Sequence, residues 1–132
     1  MFRSAGKPNS GRILVIDDEP SMRTLFQRSL QSAGFDVVVA DGGPEGLKRL
    51  REDKSIRLVL LDLNMPKMNG WEFREEQRAD PELRDVPTVI VTGEPLARVV
   101  QSEFYATEYL LKPVRRETLI NVVSDYCQPM EW

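Results

Sequence analysis

Short apolar runs alternate along the chain with longer segments that mix apolar and polar residues. Five of these runs are rich in valine, isoleucine and leucine, as β-strands are: Ile13 to Ile16, Phe35 to Ala40, Leu58 to Leu61, Thr88 to Val91 and Tyr109 to Leu111. Polar residues do not alternate regularly within the runs, which indicates strands that are buried on both faces, as in a parallel sheet.

The segments around these runs carry apolar residues at helical spacing and predict five helices. The first is the strongest, because it has apolar residues at helical spacing between Pro20 at the start and Gly34 at the end: Met22, Leu25, Phe26, Leu30 and Ala33. The last, within 119–126, is amphipathic. The three between them are weaker: the segment after 42 is crowded with glycine, 70–79 is polar, and 96–104 is short.

Strand and helix alternate five times within 132 residues, a length that suits one domain. This order predicts an α/β fold: a doubly wound, five-stranded parallel sheet with helices on both faces and right-handed crossovers. We expect a flexible tail over residues 1–11, the domain over 12–128 and a short tail over 129–132.

Composition excludes several kinds of function. A net charge of −3 gives no general attraction to nucleic acid or to anionic lipid. No apolar run is long enough to span a membrane or to serve as a signal peptide, so we expect a cytoplasmic protein. The sequence has no histidine, which removes Ser-His-Asp and Cys-His catalysis, and the single Cys127 cannot form an internal disulfide.

Polar residues that could carry chemistry follow four of the five predicted strands. In parallel sheets of this kind, ligands bind at the carboxyl ends of the strands. The residues at these ends are Asp17, Asp18 and Glu19, then Asp62, Thr92 and Lys112. Clustered carboxylates repel one another unless a cation lies among them, and Mg²⁺ suits such oxygen ligands. A carboxylate beside Mg²⁺ and an ammonium group can attack a phosphoryl group.

Each of these residues also has a purely structural interpretation. Asp17 and Asp18 could cap the helix that follows them. Asp62 could form a turn, Thr92 could cap with its hydroxyl, and Lys112 could lie in solvent. The functional interpretation therefore depends on all of them meeting at one edge of the sheet.

Four stretches together resemble the receiver domain of two-component response regulators: 13–20 (ILVIDDEP), 61–70 (LDLNMPKMNG), 91–93 (VTG) and 109–113 (YLLKP). The resemblance covers residues 12–127, in order and with matching spacing. It implies a flavodoxin-like sheet of strand order 2-1-3-4-5.

The resemblance also implies a role for each matching residue. Asp62 would accept the phosphoryl group. Asp18 would bind Mg²⁺ directly, Asp17 would act mainly through a metal-bound water, and the carbonyl of Asn64 would complete the protein ligands. Thr92 would then hydrogen-bond one phosphoryl oxygen.

Four further expectations come from the same resemblance. Lys112 would pair with a second phosphoryl oxygen and precede a cis peptide bond to Pro113. Tyr109 would act with Thr92 as a conformational switch, although packing at the strand edge is its simpler interpretation. Asn64 and Glu94 would tune dephosphorylation, and Glu94 could instead be only a solvated carboxylate.

Two positions depart from the family pattern. Gly93 stands where the family often has alanine, which should leave more room beside the phosphoryl group. Tyr105 stands where the family commonly has a glycine that ends a helix, and the segment from Thr92 to Tyr109 is short, so we expect the predicted fourth helix to be truncated or irregular. That helix belongs to the surface through which family members usually signal.

The resulting hypothesis is a receiver that takes a phosphoryl group from a histidine kinase or histidine phosphotransfer protein and switches an interaction surface. It would catalyse only its own phosphorylation and dephosphorylation, either as a stand-alone regulator or as one piece of a longer protein. The alternative is a degenerate receiver that binds partners without phosphorylation, although no active-site residue is missing. A phosphohydrolase would need Asp-x-Asp-x-Thr at the first strand, and a flavin module would need a phosphate loop in place of this acidic one.

Overall fold

The computed structural model describes residues 11–63, 65, 68–93 and 108–129. Several sequence-based expectations lie outside these residues. They concern the tail before Gly11, the residues after Pro129, and the predicted helix over 96–104 with Tyr105. The expected roles of Asn64 and Glu94 also fall outside the described part of the chain.

Five parallel strands form one sheet, as the alternating pattern predicts. They are β1 (Arg12–Ile16), β2 (Asp36–Ala40), β3 (Ile56–Asp62), β4 (Thr88–Thr92) and β5 (Glu108–Leu111). Their spatial order is β2-β1-β3-β4-β5, and each neighbouring pair is parallel. The fold class and strand order are therefore confirmed.

Helices cover both faces of this sheet. Those within the described ranges are α1 (Pro20–Ser32), α2 (Gly43–Glu52), α3 (Gly70–Ala79) and α4 (Arg116–Ser124). One apolar cluster contains Phe26 of α1 and Leu119 of α4, and a second contains Leu47 of α2 and Phe73 of α3. None of the described helices is long and apolar enough to cross a membrane.

The end of α1 differs slightly from the sequence prediction. Gly34 has a positive φ of 95°, a conformation that favours glycine, and it turns the chain out of the helix. The apolar pattern predicts Phe35 as the first residue of the second strand. Its N–H instead donates to the carbonyl of Leu30 at 3.0 Å, so β2 begins one residue later.

The polarity of α3 has a structural explanation. Asn69 and Glu72 form a capping box at its start. Gln77 is fully buried and donates to the carbonyls of Leu83 and Val86 at 3.1 and 3.0 Å. The side-chain oxygen of Gln77 accepts hydrogen bonds from Arg74 at 2.8 Å and from Thr88 at 3.0 Å. This helix therefore meets the sheet partly through hydrogen-bonded polar side chains, which apolar periodicity does not detect.

The strand register brings the carboxyl ends of four strands to one edge. Ile16 lies opposite Leu61, Asp62 opposite Val91, and Thr92 opposite Leu111. The residues at or directly after these positions, Asp17, Asp62, Thr92 and Lys112, are therefore neighbours in space although they are far apart in sequence.

Candidate functional site

Asp17 is buried at the end of β1, with only 1% of its surface exposed. Its backbone N–H donates to the carbonyl of Ala40 at 3.2 Å, and its Oδ1 accepts the N–H of Glu19 at 3.0 Å. The N-cap of α1 is Glu19, and no side-chain capping bond is present there. Asp17 and Asp18 therefore do not serve as the helix caps that the structural interpretation allowed.

Three carboxylates meet at this edge. Asp17 and Asp62 are buried and Asp18 is exposed, and one oxygen from each lies within 4.8 Å of the others. Asp62 is 7% exposed, so it opens toward solvent less than Asp18 does. A donor set of carboxylate oxygens fits a hard divalent cation such as Mg²⁺.

Lys112 brings a positive charge into the cluster. Its Nζ lies 3.2 Å from Oδ2 of Asp17 and 3.5 Å from Oδ1 of Asp62, and the side chain is only 22% exposed. The backbone N–H of Lys112 donates to the carbonyl of Thr92 at 2.7 Å, and the Lys112-Pro113 bond is cis, as expected. Lys112 is thus an ion-pairing residue and not a solvated one.

The loop after Asp62 is held against the start of α3. The N–H of Gly70 donates to the carbonyl of Leu63 at 2.8 Å. A Cβ at Gly70 would lie 2.9 Å from the Cα of Leu63, so this close approach requires glycine. The contact fixes the chain immediately after Asp62 to a rigid helix.

Thr92 and Tyr109 lie beside the cluster on β4 and β5. Thr92 is fully buried at the end of its strand. Tyr109 is partly buried and packs against the apolar cluster beneath α2 and α3, which agrees with its simpler interpretation as a packing residue. At Gly93, a Cβ would meet no heavy atom within 4 Å among the described residues.

A cleft of about 550 Å³ opens beside Asp18, between the first turn of α1 and the start of α2. Arg23 and Glu45 line it from these two helices, and Met65 lines it from the loop after β3. Nη1 of Arg23 donates to the carbonyl oxygen of Asp17 at 2.9 Å. Sequence analysis did not identify Arg23, although a basic residue one turn into the helix after an acidic pair was an available signal.

The sequence profile of the response regulator receiver domain matches residues 13–124. Because this match covers most of the chain, the protein belongs to the response regulator receiver family. The geometry agrees with that assignment, since the family's four sequence stretches meet at the same edge of the sheet.

Similar proteins differ widely in length. The chain is 32% identical over 115 residues to protein PilH of Pseudomonas aeruginosa, covering 86% of this chain and 94% of PilH. It is 34% identical over 116 residues to the CAI-1 autoinducer sensor kinase/phosphatase CqsS of Vibrio cholerae. That match covers 86% of this chain but only 17% of CqsS. Receiver domains of this kind therefore occur both in small proteins and within large kinases.

A solved structure shows the same fold. The chemotaxis response regulator CheY4 of Vibrio cholerae aligns with a TM-score of 0.79 at 29% identity, covering 89% of this chain and 98% of that one. Membership of this family implies signalling through phosphorylation.

Proposed function

We propose that this chain accepts a phosphoryl group on Asp62 in a Mg²⁺-dependent reaction and thereby switches a protein-interaction surface. The observation that carries the proposal is the position of Asp62. It lies at the end of β3, within 4.8 Å of Asp17 and Asp18 oxygens and 3.5 Å from the Lys112 ammonium. The two neighbouring carboxylates provide cation ligands, and Lys112 provides a positive charge for a phosphoryl oxygen.

Asp18 and Asp62 are the residues that would hold Mg²⁺ directly, and Asp17 would support it from the more buried side. The carbonyl of Asn64 is the further ligand that the family resemblance implies. When bound, Mg²⁺ offsets the negative charge of the carboxylates and of the phosphoryl oxygens. Lys112, already held by Asp17 and Asp62, would neutralise another phosphoryl oxygen, and the Thr92 hydroxyl would donate a hydrogen bond to a third.

The donor histidine lies outside these 132 residues, which contain none. An Asp62 carboxylate oxygen would attack the phosphorus of a phosphohistidine on a kinase or phosphotransfer protein. A phosphorus–oxygen bond forms, the phosphorus–nitrogen bond breaks, and the histidine nitrogen keeps the electron pair. Hydrolysis later breaks the new phosphorus–oxygen bond, which releases inorganic phosphate and restores the carboxylate.

The rate of that hydrolysis depends on how water reaches the acyl phosphate. At Gly93 a Cβ would meet no described heavy atom within 4 Å, and the expected tuning positions Asn64 and Glu94 follow Asp62 and Thr92 closely in sequence. We therefore place control of the lifetime of the phosphorylated state in these three residues.

Intact-mass measurement tests the acceptor. The protein is incubated with acetyl phosphate and Mg²⁺, and we expect one phosphoryl group per chain. Asp62→Asn and addition of a chelator should each abolish the uptake. Asp53→Asn is the matched control, because Asp53 is also partly buried but lies after α2, away from the acidic cluster, and it should be phosphorylated like the wild type. Uptake that survives Asp62→Asn would contradict the assignment, and a wild type that takes up none would favour the degenerate receiver.

The switch requires that a phosphoryl group favour one arrangement of Thr92 and Tyr109 over another, since only differential affinity shifts a population. Beryllofluoride with Mg²⁺ mimics the phosphorylated carboxylate and should change the amide NMR shifts of β5 as well as those of the acidic loops. In Thr92→Ala, the changes near Asp17 and Asp62 should remain and those at Tyr109 should disappear. If beryllofluoride changes the amide shift of Tyr109 equally in the wild type and in Thr92→Ala, the coupling of the two residues would be contradicted.

A further inference from the structure

Arg23 connects α1 to the turn that carries the two adjacent aspartates. Its Nη1 donates to the carbonyl oxygen of Asp17 at 2.9 Å, and its backbone N–H donates to the carbonyl of Glu19 at 3.0 Å. The side chain also lines the cleft beside Asp18. These two hydrogen bonds thus connect α1 to the turn that follows β1.

The bond from Arg23 acts on the peptide that joins Asp17 to Asp18. The carbonyl of Asp17 and the amide nitrogen of Asp18 lie in one rigid plane, so fixing the oxygen also fixes the direction in which the chain enters Asp18. Asp17 has further restraints, because its carboxylate accepts from the N–H of Glu19 and from Lys112.

Asp18 has no comparable restraint of its own. Its side chain is exposed, and no hydrogen bond from another described residue holds its carboxylate. The direction of the Asp18 carboxylate therefore depends on the backbone, and the backbone at this point is held by Arg23.

We propose that Arg23 is a positioning residue that directs the Asp18 carboxylate toward the cation shared with Asp17 and Asp62. This inference rests on the proposed function, because it concerns the same Mg²⁺ site. A hydrogen bond from a guanidinium is stronger than one between neutral groups, which suits a role in fixing a solvent-exposed turn. Arg23 acts through the peptide and does not touch the phosphoryl group.

Positioning and simple charge have effects of opposite sign at this residue. A guanidinium near a cation site repels the cation, so removal of its charge alone would strengthen Mg²⁺ binding. Loss of the hydrogen bond to Asp17 would instead weaken Mg²⁺ binding, because Asp18 would no longer be directed. The sign of the change in affinity therefore separates the two effects.

The experiment is a Mg²⁺ titration of the whole chain by calorimetry and by amide NMR shifts, for the wild type and three variants. Arg23→Ala should bind Mg²⁺ at least about tenfold more weakly, in line with loss of a charged hydrogen bond. Arg23→Lys keeps a charged donor and should recover part of the affinity. Arg28→Ala is the control, because it removes the same charge from an exposed position on the same helix and should bind like the wild type.

Phosphorylation by acetyl phosphate gives a second readout. The rate in Arg23→Ala should be low at limiting Mg²⁺ and should approach the wild-type rate when Mg²⁺ is saturating. A purely structural role would instead lower the folded fraction and leave the affinity of the folded protein unchanged. If Arg23→Ala does not fold, Arg23→Met carries the same comparison, because it removes every donor with less loss of side-chain volume.

Equal or tighter Mg²⁺ binding in Arg23→Ala would overturn the inference and leave the proposed function intact. An equal loss in Arg28→Ala would also overturn it, because the loss would then not depend on the hydrogen bond from Arg23 to Asp17. A wild type that binds no Mg²⁺ would overturn the proposed function and this inference together.

Discussion

The two edges of the sheet each combine one basic residue with several carboxylates. At the amino ends of the strands, Arg12 pairs with two carboxylates. At the carboxyl ends, Lys112 contacts two of the three clustered carboxylates. Nε of Arg12 lies 3.0 Å from Asp36, and its Nη1 lies 3.1 Å from Asp53. Asp53 Oδ1 also accepts hydrogen bonds from the N–H and hydroxyl of Ser55. Both amino-end carboxylates thus pair with Arg12, and Asp53 has a further local donor in Ser55.

The carboxylates of the other edge point into a common space, where one oxygen of each lies within 4.8 Å of the rest. The Lys112 ammonium contacts only two of them, those of Asp17 and Asp62. The same residue types therefore stabilise the fold at one edge and form a candidate cation site at the other. The difference is that the carboxyl edge brings three carboxylates together, of which Asp18 is exposed.

The largest expected difference between the edges follows removal of the basic residue from each. Lys112→Ala should slow phosphorylation by acetyl phosphate by about a hundredfold or more, because a charge on a phosphoryl oxygen is lost. Arg12→Ala should leave that rate unchanged and lower the free energy of unfolding by about 1 kcal/mol, since its ion pairs are partly exposed. Rate measurements and urea unfolding of both variants check this prediction. Slow phosphorylation of Arg12→Ala would contradict the separation of a stabilising edge from a functional one.

A second prediction separates the contributions of Asp18 and Asp17 to Mg²⁺ binding at the carboxyl edge. Asp18→Ala should weaken Mg²⁺ binding by at least about tenfold, equivalent to about 1.4 kcal/mol. Asp17→Ala should weaken it less, because Asp17 is already engaged by Glu19 and Lys112. Calorimetric titration of the two variants gives the comparison, and equal losses would count against separate roles for the two residues.

The amino edge should show its own dependence on pH. The hydrogen bond from the Ser55 hydroxyl, together with Arg12, holds the pKa of Asp53 below its ordinary value of 3.8. The stabilisation is therefore present above that ordinary value and is lost as pH falls through the lower pKa of the folded protein.

Asp53→Asn should consequently lower the free energy of unfolding by about 1 kcal/mol at neutral pH. The difference from the wild type should shrink as the solution is acidified below pH 3.8. Urea unfolding at several pH values measures it. A difference that does not change with pH would show that the charge of Asp53 contributes little.

The sequence predicted the carboxyl edge better than the amino edge for a physical reason. Apolar runs locate the strands, and the residues after parallel strands must meet at one edge, so the order of residues along the chain is enough to group Asp17, Asp62, Thr92 and Lys112. The contact of Arg12 with Asp36 depends on strand register, which pairs these two residues directly. Register between β1 and β2 cannot be read from uniformly apolar strands.

For a related reason, the sequence pattern does not predict that polar residues of α3 are buried. In a helical pattern Gln77 and Arg74 have the polarity of solvent-facing residues, yet Gln77 is buried among carbonyls of the turn before β4. The position of Arg23 one turn after an acidic pair is a sequence signal, but its partner, the backbone carbonyl of Asp17, becomes evident only in the folded structure. Contacts that depend on backbone geometry therefore emerge only from the folded arrangement.

The contrast between the edges is tested most directly by the effect of Mg²⁺ on unfolding. A ligand that binds only the folded state at 100 times its dissociation constant stabilises it by about 2.7 kcal/mol. We expect a gain of that order for the wild type, most of it lost in Asp62→Asn. Asp53→Asn should be less stable from the start and show the full gain. A gain that survives Asp62→Asn, or one that Asp53→Asn removes, would contradict the account.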